Sequence, residues 1–360
     1  MRLPRQAALL LLGGPALLAC GADPVSSGAS DETVCSIPTS QIHNGGPGKD
    51  GIPALSDPTL ARPGEAGAAY LRDDDRVIGI DLDGDQLAVP LNILWWHEIV
   101  NVRVGSRRVA VTHCPLTGSS LVFDREPLGG REFGVSGLLY LNNLIMYDRT
   151  ASESLWSQMV RGPVCGTAVD RLTMLPAVEM TWSAWRQLYP NAPVVSSETG
   201  YRRNYQVSGY GDYGDRDNPS LLFPLPGGID TRRPPKERVL GIAQGLQGGI
   251  AFPFGTLADG GQVAAVETAT LGRPLVILWD GAAQAAMAFE ALLEDGTRLN
   301  FRVEGGRVVD EQSGSSWRFD GVAIDGPRAG QRLTPVADAY VAYWFAWAAF
   351  HPATRLWNAP

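Results

Sequence analysis

Short apolar runs separated by turn residues dominate the chain after residue 50. Typical runs cover residues 77–80, 87–91, 109–111 and 121–123, and Gly, Asp or Pro bound them. Runs of this length that are rich in Val, Ile, Leu and Phe favour β-strands. The pattern therefore predicts a mainly β protein of the β-rich α+β type, with many turns and few helices.

The same order of segments occurs twice along the chain. Each copy begins with two strands that end at a proline, continues with two hairpins, and closes with an aromatic segment. Corresponding positions are Pro90 with Pro253, Trp156 with Trp317, and Trp185 with Trp347. This self-similarity predicts two tandem related β units, each closed by a short aromatic helix.

Helical spacing is confined to a few short segments. Trp182, Trp185 and Tyr189 fall on one helical face, and Pro190 ends the pattern. Residues 91–100 also keep helical apolar spacing and should form a short helix or turn. The following residues 100–111 predict a hairpin about Gly105.

The N-terminus has the pattern of an export signal. Arg2 and Arg5 precede an apolar stretch at residues 7–18, and the segment ends in Leu-Leu-Ala-Cys at Cys20, which resembles a bacterial lipobox. We expect Cys20 to be lipidated and the protein to be held at the bacterial cell envelope, on the periplasmic face or the cell surface. A plain secretory signal with an incidental cysteine is the alternative.

These patterns divide the chain into five segments. The predicted boundaries are a lipoprotein signal at 1–20, a flexible tether at 21–49, a first β unit at 50–199, an irregular connector at 200–236, and a second, degenerate β unit at 237–360. Long ordered connectors often line functional sites, but a plain linker fits the same composition.

The charge composition argues against one class of binding partner, nucleic acid. The chain has 30 Lys and Arg against 38 Asp and Glu, a formal net charge of -8, and no run of basic residues after residue 5. Nucleic-acid binding depends on clustered cations, so a nucleic-acid partner is not expected. The expected membrane contact is the lipid anchor, and a protein or small-molecule partner is left open. With 42 Gly and 26 Pro, turns are abundant.

Candidate chemistry lies in the first unit. Cys114 follows an apolar strand, and His97 lies upstream beside Glu98. The corresponding positions of the second unit carry Trp279 and Asp280 in place of His113 and Cys114, and no histidine corresponds to His97. A scaffold alone would not need this polar set in one copy only.

Our first hypothesis is a thiol and imidazole site. Cys114 would act as thiolate ligand or nucleophile, His97 as base or co-ligand, Glu98 as the group that orients the imidazole, and His113 as an accessory. With Met146, the Cys114 and His97 side chains offer soft ligands for copper or zinc. A disulfide between Cys114 and Cys165 is an open alternative. The second hypothesis is a non-enzymatic β scaffold that binds a partner protein or glycan at the cell surface.

Several motifs together resemble one bacterial and archaeal family, the domain of unknown function 3179. They are residues 50–55 (DGIPAL), 96–101 (WHEIVN), 114–119 (CPLTGS), 133–139 (FGVSGLL), 146–149 (MYDR) and 154–158 (SLWSQ). The resemblance runs from about residue 45 to the C-terminus and implies an exported β-rich protein without an assigned activity. Its motifs add Asn101, Tyr147 and Asp148 as accessory candidates. Family members often read Cys-Pro-Leu-Cys, whereas this chain has Thr117 at the second cysteine position.

A weaker likeness is to Rieske domains, which hold an iron–sulfur cluster through a Cys and a His in each of two turns. The second turn here, residues 135–138, reads Val-Ser-Gly-Leu and carries neither ligand. We therefore expect no iron–sulfur cluster and, at most, a ligand-free relative of that β fold.

Overall fold

A computed structural model describes residues 34–245, 247–269 and 271–358. The predicted signal, Cys20 and most of the predicted tether lie outside these described residues. Within the described part, none of the helices is both long and apolar enough to cross a bilayer.

Short strands fill the N-terminal half, together with helices α1 (Leu91–His97) and α2 (Trp182–Leu188). The strands described there are β1 (Ile42–Asn44), β2 (Leu55–Ser56), β3 (Leu60–Ala61), β4 (Arg76–Leu82), β5 (Asp85–Pro90), β6 (Ile99–Val104), β7 (Arg107–Cys114), β8 (Ser119–Asp124), β9 (Phe133–Tyr140), β10 (Asn143–Asp148), β11 (Leu155–Ser157), β12 (Gly162–Cys165), β13 (Thr173–Leu175), β14 (Val178–Thr181) and β15 (Val194–Val195).

The C-terminal half has the same character, with helices α3 (Phe254–Asp259) and α4 (Trp344–Phe350). Its described strands are β16 (Arg238–Gln244), β17 (Gly248–Pro253), β18 (Val263–Thr268), β19 (Leu275–Asp280), β20 (Ala285–Glu290), β21 (Phe301–Glu304), β22 (Arg307–Asp310), β23 (Ser316–Trp317), β24 (Ala339–Tyr343) and β25 (Ala353–Leu356). The prediction of a mainly β protein with a few short helices is confirmed.

The largest sheet combines strands from both halves of the chain. Among the described residues it has nine strands in the order β2-β6-β7-β8-β24-β16-β17-β25, with β13 added beside β8. We call it the central sheet. A five-stranded sheet, β14-β4-β5-β15-β3, carries α2, and a second one runs β1-β9-β10-β11-β12. Two three-stranded sheets, β18-β19-β20 and β21-β22-β23, complete the described part of the second half.

Local sequence signals explain the elements around the candidate residues. Strands β6 and β7 form the predicted hairpin, and Gly105 in its turn has φ +57°, a left-handed conformation that suits glycine. Helix α1 is shorter than the predicted helical segment because Glu98 adopts φ 54° and ends it. Strand β6 then begins at Ile99, so the chain reverses direction beside Cys114.

Several packing details recur in the two halves. An added Cβ at Gly79 would lie 2.2 Å from the Trp185 ring, and one at Gly241 would lie 2.1 Å from the Trp347 ring. Glycine therefore lets each aromatic helix lie directly on its strand pair. In both halves the strand before the aromatic helix pairs antiparallel with the first of these strands, and the strand after the helix pairs parallel with the second.

The two halves also contact each other reciprocally. Thr181 caps α2 and its backbone N–H donates to the carbonyl of Ala283, in the turn between β19 and β20, at 3.1 Å. Tyr343 caps α4 and its backbone N–H donates to the carbonyl of Thr117, in the turn between β7 and β8, at 2.8 Å. The turn that follows Cys114 is therefore held by the opposite half of the chain. The division into two tandem units stays a prediction.

The cysteine pairing in the structure differs from the alternative that the sequence left open. Cys35 and Cys165 form a disulfide, which joins the segment after the predicted tether to the end of β12. Cys114 is a free, buried cysteine. The alternative of a Cys114–Cys165 disulfide is therefore wrong, because Cys165 is bonded to Cys35.

The buried indole N–H of Trp347 has a hydrogen-bond acceptor, whereas that of Trp185 has none among the described residues. Trp347 Nε1 donates a hydrogen bond of 2.8 Å to Thr354 Oγ1. Trp185 Nε1 is buried and has no hydrogen-bond partner among the described residues, and Ala192 occupies the spacing that Thr354 has from Trp347.

Thr354→Ala should lower the free energy of unfolding by about 1–3 kcal/mol, because the buried indole N–H of Trp347 would lose its acceptor. The control Thr354→Ser keeps a hydroxyl group and should cost less than about 1 kcal/mol. Urea unfolding followed by tryptophan fluorescence compares the two variants. An alanine variant as stable as the serine variant would refute the assigned role of this hydrogen bond.

Candidate functional site

Cys114 ends β7 in a closely packed environment. The residue is 1% exposed, and its Sγ lies 3.7 Å from the carbonyl oxygen of Asn142. Burial, reinforced by the nearby Glu98 carboxylate, raises the pKa of the Cys114 thiol to about 11. The thiol is therefore protonated at neutral pH, which opposes its use as a thiolate nucleophile or ligand.

His97 is fully buried at the end of α1. Its Nδ1 lies 2.7 Å from the Pro53 carbonyl, which can only accept, so Nδ1 carries the proton. Burial lowers the pKa of His97 to about 4, so the neutral ring accepts through Nε2 from the Tyr205 hydroxyl at 2.7 Å. The Tyr205 oxygen in turn contacts Thr199 Oγ1 at 2.5 Å. Both ring nitrogens are thus occupied by partners other than Cys114.

Glu98 directly follows His97 but contacts a different partner. Its Oε1 accepts a hydrogen bond of 3.4 Å from the hydroxyl group of Tyr210, and burial raises the pKa of its carboxyl to about 8. The structure brings Glu98 near Cys114, since its charge contributes to the raised pKa of the thiol. Pro53 and Tyr205 orient the imidazole of His97. The hydrogen bond of the Glu98 side chain is with Tyr210 instead.

His113 is linked through the Ser120 hydroxyl group to the buried carboxylate of Glu179. Ser120 Oγ donates to Glu179 Oε2 at 2.8 Å and lies 3.0 Å from His113 Nδ1, which therefore donates to it. Burial lowers the pKa of His113 to about 4, so the ring is neutral at physiological pH. The predicted accessory residue is thus part of a hydrogen-bond chain that ends on Glu179.

Glu179 is the centre of a buried ion cluster that we call the Arg76–Glu179–Arg238 cluster. Its Oε1 accepts from Arg76 Nε at 2.7 Å and from Arg238 Nη1 at 3.5 Å. Burial alone would raise the pKa of Glu179, but the two guanidinium groups outweigh it and lower the pKa to about 2. The carboxylate is charged, and two arginines share it.

One guanidinium nitrogen of this cluster is unused. Arg76 Nη2 donates to the carbonyls of Glu179 at 2.9 Å and of Gln284 at 3.1 Å, but Nη1 is buried without a partner among the described residues. Burial, with the neighbouring charge of Arg238, lowers the pKa of Arg76 to about 10. Arg76 therefore stays cationic and offers an unsatisfied donor.

A cavity of about 560 Å³ lies against this cluster. His113, Pro115 and Gly118 of the first half line it together with Phe254 and Tyr343 of the second half. Its charged lining residues are the cations Arg76, Arg216, Lys236 and Arg238 and the anions Glu179, Asp215 and Glu237. The lining itself therefore has one more cation than anions; outside it, Arg233 pairs with Glu237 at 2.6 and 2.7 Å, and Asp217 pairs with Arg216 at 3.4 Å.

The irregular connector covers this region. Tyr213 Oη donates to the Leu116 carbonyl at 3.0 Å, within the turn after Cys114, and Tyr210 reaches Glu98. Gly118 in the same turn has φ +56°, and an added Cβ would lie 2.6 Å from the Tyr343 ring. The turn is therefore enclosed between connector tyrosines and Tyr343 at the end of β24, and residues 208–216 contribute to the cavity wall.

A network of buried polar side chains holds the turn after Cys114 in place. Asn143 Nδ2 donates to Thr117 Oγ1 at 2.9 Å and to Gln158 Oε1 at 2.7 Å, and Ser119 Oγ donates to the same Gln158 oxygen at 2.6 Å. Gln158 Nε2 donates to Thr112 Oγ1 at 2.9 Å. These side chains are fully buried and mutually satisfied, so they fix the turn that positions Cys114 and Pro115.

The remaining candidates lie elsewhere and have structural partners. Asn101 bridges backbone groups of Leu55 and Phe133, and Asp148 accepts from Trp156 Nε1 at 2.9 Å. Tyr147 donates its hydroxyl proton to Asp50, and Met146 is fully buried in the core. Among the described residues, no three or more His, Cys, Asp or Glu side chains are grouped so that they could hold a metal ion.

Sequence reasoning missed the residues that carry the charge of the cavity. Arg76, Glu179 and Arg238 are distant in sequence, and no spacing rule connects them. Lys236 did carry a signal, because it is one of only two lysines in the chain. Asn143 carried no signal beyond being an amide at the start of an apolar strand, and Gln158 carried only its place in the motif at residues 154–158.

The fold and site define a mainly β protein with a cavity lined by residues from both halves of the chain. The family described as "Protein of unknown function (DUF3179)" matches residues 49–354, so the chain belongs to this family. The family assignment from sequence motifs is thereby confirmed. No curated protein and no solved structure matches the chain.

Cys114 should react slowly in the native protein, because its thiol is buried and its pKa is raised to about 11. The measurement is labelling by a thiol reagent at pH about 8 in full-length Cys20→Ser protein with the Cys35–Cys165 disulfide intact. Complete labelling in denaturant is the control. Rapid native labelling with a midpoint below the free value of about 8.5 would instead support the thiolate hypothesis.

Proposed function

We propose that this chain is an exported, lipid-anchored protein that binds a small anionic ligand in the cavity beside the Arg76–Glu179–Arg238 cluster. The observation that carries this proposal is that Arg76 and Arg238, both in the cavity wall, share the single carboxylate of Glu179. Charge-assisted contacts of guanidinium groups with carboxylate or phosphate oxygens are among the strong hydrogen bonds.

The charge balance supports the same ligand class. The chain as a whole carries a net charge of -8, whereas two arginines of the cavity share one carboxylate. The two arginines carry two positive charges, and Glu179 supplies one negative charge. A carboxylate or phosphate group of a ligand would supply the second. The limited volume, about 560 Å³, favours a small molecule over a polymer.

Internal duplication offers an explanation for this imbalance, and we infer it as part of the proposal. Arg76 pairs with Thr181, the residue before α2, and Arg238 pairs with Tyr343, the residue before α4. The two arginines thus hold corresponding positions. Glu179 corresponds to Val341 by the same register, so only one copy supplies the carboxylate.

Thiol chemistry receives less support from the same geometry. Cys114 is buried and protonated, and His97 uses both ring nitrogens for other partners. The turn at Cys114 would then serve the cavity by its backbone shape, with Pro115 and Gly118 in the wall. Recognition of a partner protein or glycan stays a prediction.

Export and anchoring rest on two features. The segment that ends at Cys20 matches a lipobox, although it lies outside the described residues. The Cys35–Cys165 disulfide supports an oxidising compartment, where such bonds persist.

Small carboxylates such as glycolate and succinate, or inorganic phosphate, should raise the melting temperature of the protein in a concentration-dependent way. Arg238→Met should weaken this binding by about tenfold, because one charge-assisted contact is lost. Arg302→Met, at an exposed pair with Glu304, is the matched control and should leave binding unchanged. The proposal fails if none of the three anions binds, or if Arg238→Met binds like the wild type.

Cys20→Ser should move the protein from the membrane fraction to the soluble fraction of the producing cells. The body should stay folded, because the Cys35–Cys165 disulfide and the buried apolar residues of the described part lie beyond residue 33. Fractionation with immunoblotting, and circular dichroism of the released protein, test both statements. Membrane retention of the variant would remove the lipid-anchor proposal.

A further inference from the structure

His113 uses one ring nitrogen for the fold and leaves the other free. Its Nδ1 contacts Ser120 Oγ at 3.0 Å. Its Nε2 has no hydrogen-bond partner among the described residues, and it is not enclosed as Arg76 Nη1 and Trp185 Nε1 are, so it contacts solvent. His113 is only 4% exposed and lines the cavity of about 560 Å³, so Nε2 meets solvent there. A ligand in the cavity can therefore reach this nitrogen.

The hydrogen bonds of His113 also fix its protonation. The charged carboxylate of Glu179 only accepts, so the Ser120 hydroxyl group donates to Glu179 Oε2 at 2.8 Å, and His113 Nδ1 has to donate to Ser120. Burial lowers the pKa of His113 to about 4, so the ring carries no second proton at pH 7. Nε2 thus presents an electron pair to the cavity, where it can accept a hydrogen bond but not donate one.

The second half of the chain adds a free hydroxyl group at the same cavity. Tyr343 Oη has no hydrogen-bond partner within the part of the chain that the structure describes, and it too is not enclosed. Burial raises the pKa of Tyr343 to about 12, so the group keeps its proton and can donate it. Gly214 of the connector passes so close that an added Cβ would lie 2.7 Å from Oη. Tyr343 and Gly214 both line the cavity, which therefore offers a neutral donor and a neutral acceptor.

The free acceptor and one of the cavity cations are both linked to the carboxylate of Glu179. Ser120, the partner of His113, donates to Oε2, and Arg238 Nη1 donates to Oε1 at 3.5 Å. His113 and Arg238 also line the same cavity, so one bound molecule can contact both. An anionic group suits Arg238, and a hydrogen-bond donor suits His113 Nε2.

The charges of the cavity decide which kind of donor fits. An ammonium group at Nε2 would place a further positive charge beside Arg76 and Arg238, and like charges brought together oppose binding. A hydroxyl group donates a hydrogen bond without adding charge. The pair of groups therefore favours a hydroxy acid over an amino acid.

We propose that the ligand of this cavity is a small hydroxy acid, whose carboxylate binds at Arg238 and Tyr343 and whose hydroxyl group donates to His113 Nε2. The inference rests on the proposed function, because the carboxylate is the anionic group assigned to the same cavity. It adds the second group of the ligand and the residue that selects it.

The test compares acids that differ only in the hydroxyl group. Isothermal titration calorimetry of the full-length protein at pH about 7.5 measures the affinity for glycolate against acetate, lactate against propionate, and 4-hydroxybutyrate against butyrate. In at least one pair we expect the hydroxy acid to bind about three- to tenfold more tightly, which is the effect of one hydrogen bond. Glycine, which has an ammonium group in place of the hydroxyl group of glycolate, should bind more weakly than glycolate.

Two variants assign the preference to His113. His113→Asn keeps a side-chain N–H near the place of Nδ1 but removes Nε2, so it should bind the hydroxy acid and the plain acid of the preferred pair equally. Its retained affinity for the plain acid shows that the cavity is intact. His43→Asn is the matched control, because His43 stacks on Phe223 outside the cavity lining, and it should keep the preference.

A measurement on the unmodified sequence does not depend on how the variants fold. In protein with ¹⁵N-labelled histidine, the hydroxy acid of the preferred pair should shift the Nε2 resonance of His113 more than the plain acid does. An unchanged resonance at saturating hydroxy acid would overturn the contact with His113.

The outcomes separate this inference from the proposed function. Equal binding of both acids in all three pairs would refute the hydroxy-acid inference and leave the anion site intact. A preference that survives in His113→Asn would refute the role of His113. If no anion binds at all, the proposed function fails and this inference fails with it.

Discussion

The Glu179 carboxylate has to remain charged in a buried position, and much of the architecture around the cavity follows from that requirement. A buried carboxylate needs several partners, because removal from water costs several kcal/mol per ion. Arg76 comes from β4, Arg238 from β16 and the Ser120 hydroxyl from β8. Glu179 therefore connects the five-stranded sheet that carries α2 to the central sheet, and it does so where both halves of the chain meet.

Three tyrosine side chains explain how an irregular segment is ordered over the cavity. Residues 200–236 contribute few regular hydrogen bonds, so side chains have to fix them. Tyr205, Tyr210 and Tyr213 each use a hydroxyl group to reach the first half of the chain, at His97, Glu98 and Leu116. The predicted site residues thereby anchor the connector, and the cavity forms between that connector and the cluster.

The turn after Cys114 combines buried hydrogen-bonded side chains with residues that line the cavity. Thr117 stands where family members often have a second cysteine, and its hydroxyl group contacts Ser119 and Asn143 at 2.8 and 2.9 Å. Because residue 117 is a threonine, the turn cannot form a dithiol with Cys114, and its hydroxyl group belongs to the buried polar network instead. Pro115 and Gly118 of the same turn line the cavity.

The sequence alone determined the β-rich class, the short helices at Trp182 and Trp344, and the family, because these depend on local periodicity and contiguous motifs. It also singled out His113 and the turn after Cys114, which border the cavity, although the role of these residues stays a prediction. Only the tertiary structure decided the cysteine pairing, the partners of His97 and the cationic cavity. The pairing of β4 with β14 brings Arg76 beside Glu179, and packing of the two halves adds Lys236 and Arg238 from far along the chain. The protonation of buried groups depends on surroundings that no local pattern records.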